Sequence, residues 1–506
     1  PRQNCCNLLG NDLQIQFQLR KIMSLNNRWT VEQRYRRLEQ IPQCDIEEMT
    51  LSRQQDKGFP SFHIAPRFGL LNDPNGLCYF NGEHHIFYQW TPVGPVHGMK
   101  YWYHLSTKDF IYFTDHGVGL HPDQDYDSHG VYSGGALVEN NQVLLFFTGN
   151  KRDQNWNRIP TQCFATMDSD GSIEKHGVVI ENEHYTEHFR DPKVWKKGDD
   201  YLMVVGAQTK TEHGSMALYQ SKDLKTWQHK GPIKTKFSDL GYMWECPDFF
   251  EINGQSVMLF SPQGVSSSNP YDFKNIYSVA YIVGDQLNLE SMTLENHQDI
   301  LQPDYGFDLY APQTYLDDNE RRILIAWIGL PEIDTPSVTH QWAGMLSLPR
   351  ELTLKDGFLV QTPLPELKSL RKEEVVFAQS HTLESTSCLI QLDLVGDGFE
   401  LELSNLKGDN IVFSATEHEF ILDRRHMSHL YAEEFGSIRK APRLDAKQTI
   451  EIYIDNSVIE IFINGGKHTM TSRFFIDDLN KVTLKGLEQA RLFPLKGITG
   501  LFESAK

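Results

Sequence analysis

Basic residues are in short supply. The 506-residue chain carries 48 Lys and Arg against 67 Asp and Glu, a formal charge of −19. That balance works against a nucleic-acid partner, because phosphate backbones are held by clustered Lys and Arg. A small ligand, neutral or held by local cations, is the expected partner. Long apolar runs are lacking as well: no stretch approaches the roughly 20 apolar residues of a membrane span, and the start of the chain has no basic-then-apolar signal pattern. No membrane partner is expected, and the protein is expected to be soluble. Cysteine is sparse and odd in number, seven at positions 5, 6, 44, 78, 163, 246 and 388, with no CxxC pair to hold zinc or run redox chemistry. Such usage suits a reducing cytoplasm.

What remains is an ordinary globular composition, with 11% aromatic and 23% charged residues. The length exceeds the roughly 100–250 residues of one domain, so more than one core is expected. Residues 1–22 read as a leader or an added extension, since the pattern becomes legible only from Met23. Within 23–56 Thr30 and Gln33 form a capping box, and Val31, Tyr35 and Leu38 share a face, which predicts a short amphipathic helix.

From 57 to 350 the chain is strand-rich and self-similar. A polar opening, a strand, a turn and a second strand recur from Asn72, Tyr132, Arg190, Glu245 and Tyr310, at intervals of 55 to 65 residues. Hairpin repeats of this length, with few helical signals, predict propeller blades around a central channel, five in number. A β-sandwich with coincidental spacing is the alternative. If each copy opens the innermost strand of a blade, the openings converge at one end of the channel and bring Asp73, Asp191 and Glu245 together. Residues 351–374 read as a linker. From 375 to 506 apolar and polar residues alternate, with Ile450, Ile452 and Ile454 on one face and Ile459, Ile461 and Ile463 following the Asp455-Asn456 turn, which predicts an antiparallel sandwich with no catalytic group. The expected class is thus all-β: a five-bladed β-propeller, then a C-terminal β-sandwich, with a short helical segment in front.

Glycoside hydrolysis needs two carboxyl groups across the scissile bond, one to attack and one to protonate the leaving oxygen. Asp73 and Asp191 each directly precede a proline, and Glu245 lies in Glu245-Cys246-Pro247; proline stiffens the backbone that carries them. Taken singly these are turn chemistry, since Asp73-Pro74-Asn75-Gly76 is a good type I turn. Together they carry a resemblance. Asn72-Asp73-Pro74-Asn75-Gly76, Phe189-Arg190-Asp191-Pro192 and Trp244-Glu245-Cys246-Pro247-Asp248 resemble, in order, the nucleophile, stabiliser and acid/base motifs of glycoside hydrolase family 32. Phe87-Tyr88-Gln89, Tyr132-Ser133-Gly134, Tyr310-Ala311-Pro312-Gln313 and Trp342-Ala343-Gly344 are similar to the family's segments around the sugar pocket, and Asp455 to Phe462 to a signature of its sandwich.

The resemblance implies a retaining β-fructofuranosidase. Asp73 attacks C2 of the fructosyl unit, Glu245 protonates the departing oxygen and then acts as base on water, and Asp191 binds fructose hydroxyls. Glu245 is expected to hold its proton in the resting enzyme through a raised pKa. Asn72, Gln89, Ser133 and Arg190 are candidate fructose ligands, with Trp102 and Trp327 flanking the pocket. No metal or cofactor is implied. Leu70, where the family usually has tryptophan, and His97 in Gly94-Pro95-Val96-His97-Gly98 are departures that resemble the bacterial sucrose-6-phosphate hydrolase branch. Either a sugar or a sugar phosphate fits as partner. Lys100, Lys151, Arg152 and Arg158 are the cations on offer for a phosphate.

Rival readings are a fructan hydrolase, an inverting pentosidase on a similar scaffold, a sugar-binding propeller without activity, and a zinc site at His184-Tyr185-Thr186-Glu187-His188. The last requires a helix that puts both histidines on one face.

Overall fold

The computed structural model of the chain describes residues 29–237, 239–445 and 447–502; the stretch 1–22 lies outside them. The capping box forms: Thr30 Oγ1 accepts from Gln33 N at 3.2 Å and Gln33 Oε1 accepts from Thr30 N at 2.8 Å. The helix it opens is a single turn, Val31–Arg34, and a longer helix, Gln43–Gln54, follows.

Then come five sheets of three to five strands, with a two-stranded ribbon, Leu287–Asn288 and Thr293–Leu294, between the fourth and the fifth. Their opening strands are Gly69–Phe80, Val131–Glu139, Phe189–Lys197, Met243–Ile252 and Leu309–Leu316. Each packs against the next and the fifth against the first; further strands of each sheet pair antiparallel, except the short Trp342–Ala343, which pairs parallel with the other edge of Gly69–Phe80. Apolar side chains fill the space between sheets, as with Phe87, Trp102, Leu145 and Phe147 between the first two.

The stretch 351–374 is not simply a connector. Arg350–Lys355 and Phe358–Pro363 form a hairpin that extends the fifth sheet by pairing with Arg322–Ile328. Its turn, Asp356-Gly357, has φ of 52° and 79°, the Asp-Gly chemistry of a tight hairpin.

Two six-stranded sheets follow, built from strands between Val375 and Pro494. Ile450, Ile452 and Ile454 pair with Ile463, Ile461 and Ile459 across the Asn456-Ser457 turn, and this apolar face is buried together with Leu401, Phe413 and Leu422 of the other sheet. A buried ionic network joins these sheets to the rest. His63 bridges Asp455 and Glu460 at 2.9 Å each, and Arg350 donates to Glu460 at 2.5 Å. The burial is tolerable because each charge has a partner.

Candidate active site

All five opening strands break their ladder near the start. The register slips between Leu71 and Pro74, Tyr132 and Gly134, Glu245 and Asp248, and Tyr310 and Gln313, and opposite Arg190 on the third. Bulges re-aim side chains, and here they turn polar groups toward the common centre. Asp191, Cys246 and Ala311, each directly before a proline, have φ of 69°, 46° and 51°. That left-handed conformation costs about 1–3 kcal/mol per residue and is held by the surrounding packing.

The three acids meet. Cys246 Sγ lies 3.7 Å from Asp73 Oδ2 and 3.6 Å from Asp191 Oδ2, and Cys246 N donates to Asp191 at 2.9 Å. Ser133 Oγ donates to Asp73 Oδ2 at 2.5 Å, and Asp191 N donates to Thr148 Oγ1 at 2.9 Å. Asp73 and Glu245 are half-buried, whereas Asp191 is buried. Glu245 is the most heavily bonded: Arg190 reaches Oε1 at 2.7 and 3.0 Å, and Gln263 and Tyr310 each donate to Oε2 at 2.6 Å.

These surroundings separate the carboxyls electrostatically. Burial pushes Asp73 up, with the Glu245 charge adding to it against Ser133 and Lys100. Asp191 is pushed up to about 7, by burial foremost and by Glu245 and Asp73, with Arg190 opposing. For Glu245 burial also pushes upward, but Arg190 and the hydrogen bonds from Tyr310 and Gln263 outweigh it and hold the carboxyl below its ordinary value. The expected raised pKa of Glu245 is therefore corrected: without substrate, this group is ionised, because three donors surround it.

The other candidates divide. Asn72 donates to Gln89 Oε1 at 2.5 Å and accepts from Lys100 Nζ at 2.7 Å, next to Asp73. Lys100 is itself buried, lowered to about 7 by burial with Asp73 opposing, and bonded to His97 at 3.0 Å, which places it in the floor of the site. Trp327 stands edge-on to both Tyr310 and His97, at 6.2 and 6.1 Å. Trp102 is a correction: it is fully buried between Phe87 and Phe147, with its N–H on Tyr132 O at 3.0 Å, so it packs the core and does not flank the pocket. Gln263 was not singled out by the sequence; Tyr310 was named within a pocket segment and opens the fifth repeat, but no role was assigned to it.

Residues 184–188 form bends, not a helix. His184 stacks on His229 at 4.0 Å, while His188 contacts Arg190 at 3.2 Å. The two histidines serve different partners.

Paired carboxyls on a ring of strand openings are the equipment of a glycosidase. Comparison with known proteins agrees: residues 63–363 match the glycosyl hydrolases family 32 N-terminal domain and residues 366–497 the family's C-terminal domain. The chain belongs to glycosyl hydrolase family 32. It is 98% identical over 484 residues to a sucrose-6-phosphate hydrolase of Vibrio alginolyticus, covering 96% of this chain and 100% of that one. It is 41% identical to the sucrose-6-phosphate hydrolase of Staphylococcus xylosus, covering 89% and 94% of the two chains. Among solved structures, the sucrose-6-phosphate hydrolase of Lactobacillus gasseri superposes with a TM-score of 0.88 at 34% identity, over 93% of this chain and 100% of that one. A Bombyx mori family 32 beta-fructofuranosidase mutant in complex with sucrose gives 0.79 at 27% identity, over 90% and 98%.

Proposed function

We propose that the protein hydrolyses the β-fructofuranosyl bond of sucrose 6-phosphate, and of sucrose less well, by double displacement. The observation that carries this reading is that Asp73 and Asp191 both meet Cys246, while the charge of the adjacent Glu245 acts on each of them. A carboxylate oxygen of Asp73 bonds to C2 of the fructosyl unit as the C2–O bond to the glucosyl oxygen breaks, and that oxygen takes a proton from Glu245. Glucose 6-phosphate leaves. Glu245 then removes a proton from water, the water oxygen bonds to C2, and Asp73 is freed. Asp191 accepts hydrogen bonds from fructosyl hydroxyls and favours the cationic transition state.

Glu245 must gain a proton before the first step. Arg190, which holds it ionised, is the group whose movement toward substrate hydroxyls lifts its pKa. Ser133, Asn72 and Gln89 line the fructosyl side, and Trp327 and His97 the wall beside them.

The five sheets are read as five propeller blades, because their opening strands adjoin in sequence order and return to the first. The domain division that follows is 57–363 for the catalytic ring and 375–494 for the sandwich. No helix among the described residues is long and apolar enough to cross a membrane. The cysteines described, all free thiols, support a reducing, cytoplasmic setting.

Rates on sucrose 6-phosphate, sucrose and inulin test the proposal. A kcat/KM highest for sucrose 6-phosphate is expected; inulin as the best substrate moves the reading to a fructan hydrolase.

A further inference from the structure

Phe189–Lys197, the strand that carries Arg190 and Asp191, is the edge strand of its four-stranded sheet. One row of its backbone groups therefore has no strand to pair with. Phe189, Arg190 and Asp191 are buried, so these groups need other partners. Two of them are taken by side chains of the preceding sheet. Thr148 and Gln162 stand directly opposite each other on the strands Gln142–Arg152 and Arg158–Met167. Thr148 Oγ1 accepts from Asp191 N at 2.9 Å and donates to Gln162 Oε1 at 2.8 Å, and Gln162 Nε2 donates to Phe189 O at 3.2 Å.

The pair thus holds the carbonyl before Arg190 and the amide after it. Thr148 is 1% exposed and Gln162 0%, so bulk water does not stand in for either. What they hold is strained: Asp191 has a φ of 69°, a conformation that costs about 1–3 kcal/mol and persists only where its surroundings fix it. On the far side the same segment is confined by the Glu245 strand, since a Cβ on Gly206, the ladder partner of Arg190, would fall 2.3 Å from Trp244 O. Thr148 also reaches toward the nucleophile. It lies across from the register slip between Tyr132 and Gly134, and the residue in that slip is Ser133. The Ser133 carbonyl is 3.4 Å from Thr148 Oγ1, and its hydroxyl donates to Asp73.

We propose that Thr148 and Gln162 are positioning residues for the reaction, a clamp from the second sheet that fixes residues 189–191 so that the Asp191 carboxyl and the Arg190 guanidinium are aimed before substrate arrives. Without the Thr148 hydroxyl, Asp191 N and Gln162 Oε1 lose their partners in a dry interior, which is costly. Relaxation of the left-handed residue then moves Asp191 and Arg190 together, and Arg190 takes its hold on Glu245 with it.

This assignment rests on the roles read for Asp191, Arg190 and Glu245 in the double displacement. The test measures kcat, KM, the pH profile of kcat/KM and the melting temperature of Thr148→Val, Thr148→Ser, Gln162→Met and Asp191→Asn. Thr148→Val keeps the shape and removes the hydroxyl; its kcat is expected to fall about 10- to 100-fold, with KM changing less. Thr148→Ser is expected to recover most of that loss, and Gln162→Met, in which Thr148 still reaches Asp191, to lose less than Thr148→Val. The acidic limb of kcat/KM, which follows Glu245, is expected to move to higher pH in Thr148→Val, because a displaced Arg190 no longer holds that carboxyl low. Adding Thr148→Val to Arg190→Gln is expected to move the limb no further. A contact that serves only the fold lowers the melting temperature and moves neither kcat nor the limb. A folded Thr148→Val enzyme with the wild-type kcat and limb, beside an impaired Asp191→Asn, overturns the clamp alone. Asp191→Asn turning over at the wild-type rate overturns the role of Asp191 and the clamp with it. Where Thr148→Val does not fold, Gln162→Met decides, and wild-type kcat and limb in that variant overturn the proposal.

Discussion

Arg190 holds Glu245 through two nitrogens on one oxygen, at 2.7 and 3.0 Å. The acid of the proposed mechanism is thus kept ionised by this neighbour. Exchanging Arg190 for Gln leaves burial as the dominant influence on Glu245, and its pKa rises. With Glu245 held low and Asp73 high in the free enzyme, the acidic limb of kcat/KM is the one that follows Glu245, and it is expected to move to higher pH as the maximum falls. A pH profile of Arg190→Gln beside wild type checks this; a limb that stays in place means Glu245 is not the group titrating there.

Lys100 acts on the opposite limb. Its ammonium lies near Asp73 and lowers a carboxyl that burial raises. In Lys100→Met the Asp73 pKa climbs further, so the basic limb of kcat/KM, which follows the higher of the two carboxyls, is expected to shift to higher pH. A basic limb shared with wild type contradicts the influence of Lys100 on Asp73.

Asp191 costs stability in its native position. Its folded pKa of about 7 lies above the unfolded value, so the native state binds the proton more tightly. Stability falls as pH rises from about 4 to about 7 and stays lowered beyond. Asp191→Asn keeps an acceptor for Cys246 N without the charge. It is expected to melt at a higher temperature than wild type near pH 8, to lose that advantage near pH 4, and to have a kcat lower by about 10²–10³. Thermal melts at several pH values decide it, and a variant less stable than wild type at neutral pH counts against the claim.

His63 has the opposite linkage. Asp455 and Glu460 raise it to about 9 against burial, so its stabilising effect is complete below about pH 6.5 and is lost as pH rises through about 9. Glu460→Gln leaves Arg350 and His63 short of a charge partner and is expected to lower unfolding stability by about 3–5 kcal/mol. Denaturant titration measures it; a change under about 1 kcal/mol is the contrary result.

Much of this was legible in the sequence for local reasons. Asp73 and Asp191 announce themselves by the proline that follows each, and the alternating isoleucines of 450–463 fix a register that the strands adopt residue for residue. The Asp356-Gly357 turn was equally legible, yet its hairpin was assigned to a connector, because Pro-rich flanks masked two short strands. Trp102 misled because alternation along a strand does not say which face meets a neighbouring sheet. The ionisation of Glu245 was beyond local reading: it depends on Arg190, Gln263 and Tyr310, which three different strands deliver.

The most direct test of the double displacement is to trap its intermediate. Glu245→Gln enzyme, given a fructosyl donor whose leaving group needs no proton, is expected to form the covalent species faster than water removes it. After acid quench and proteolysis, mass spectrometry should find the peptide containing Asp73 heavier by one anhydrohexose unit. Label on another residue, or a Glu245→Gln enzyme that turns over this donor at the wild-type rate without accumulating any adduct, contradicts the account.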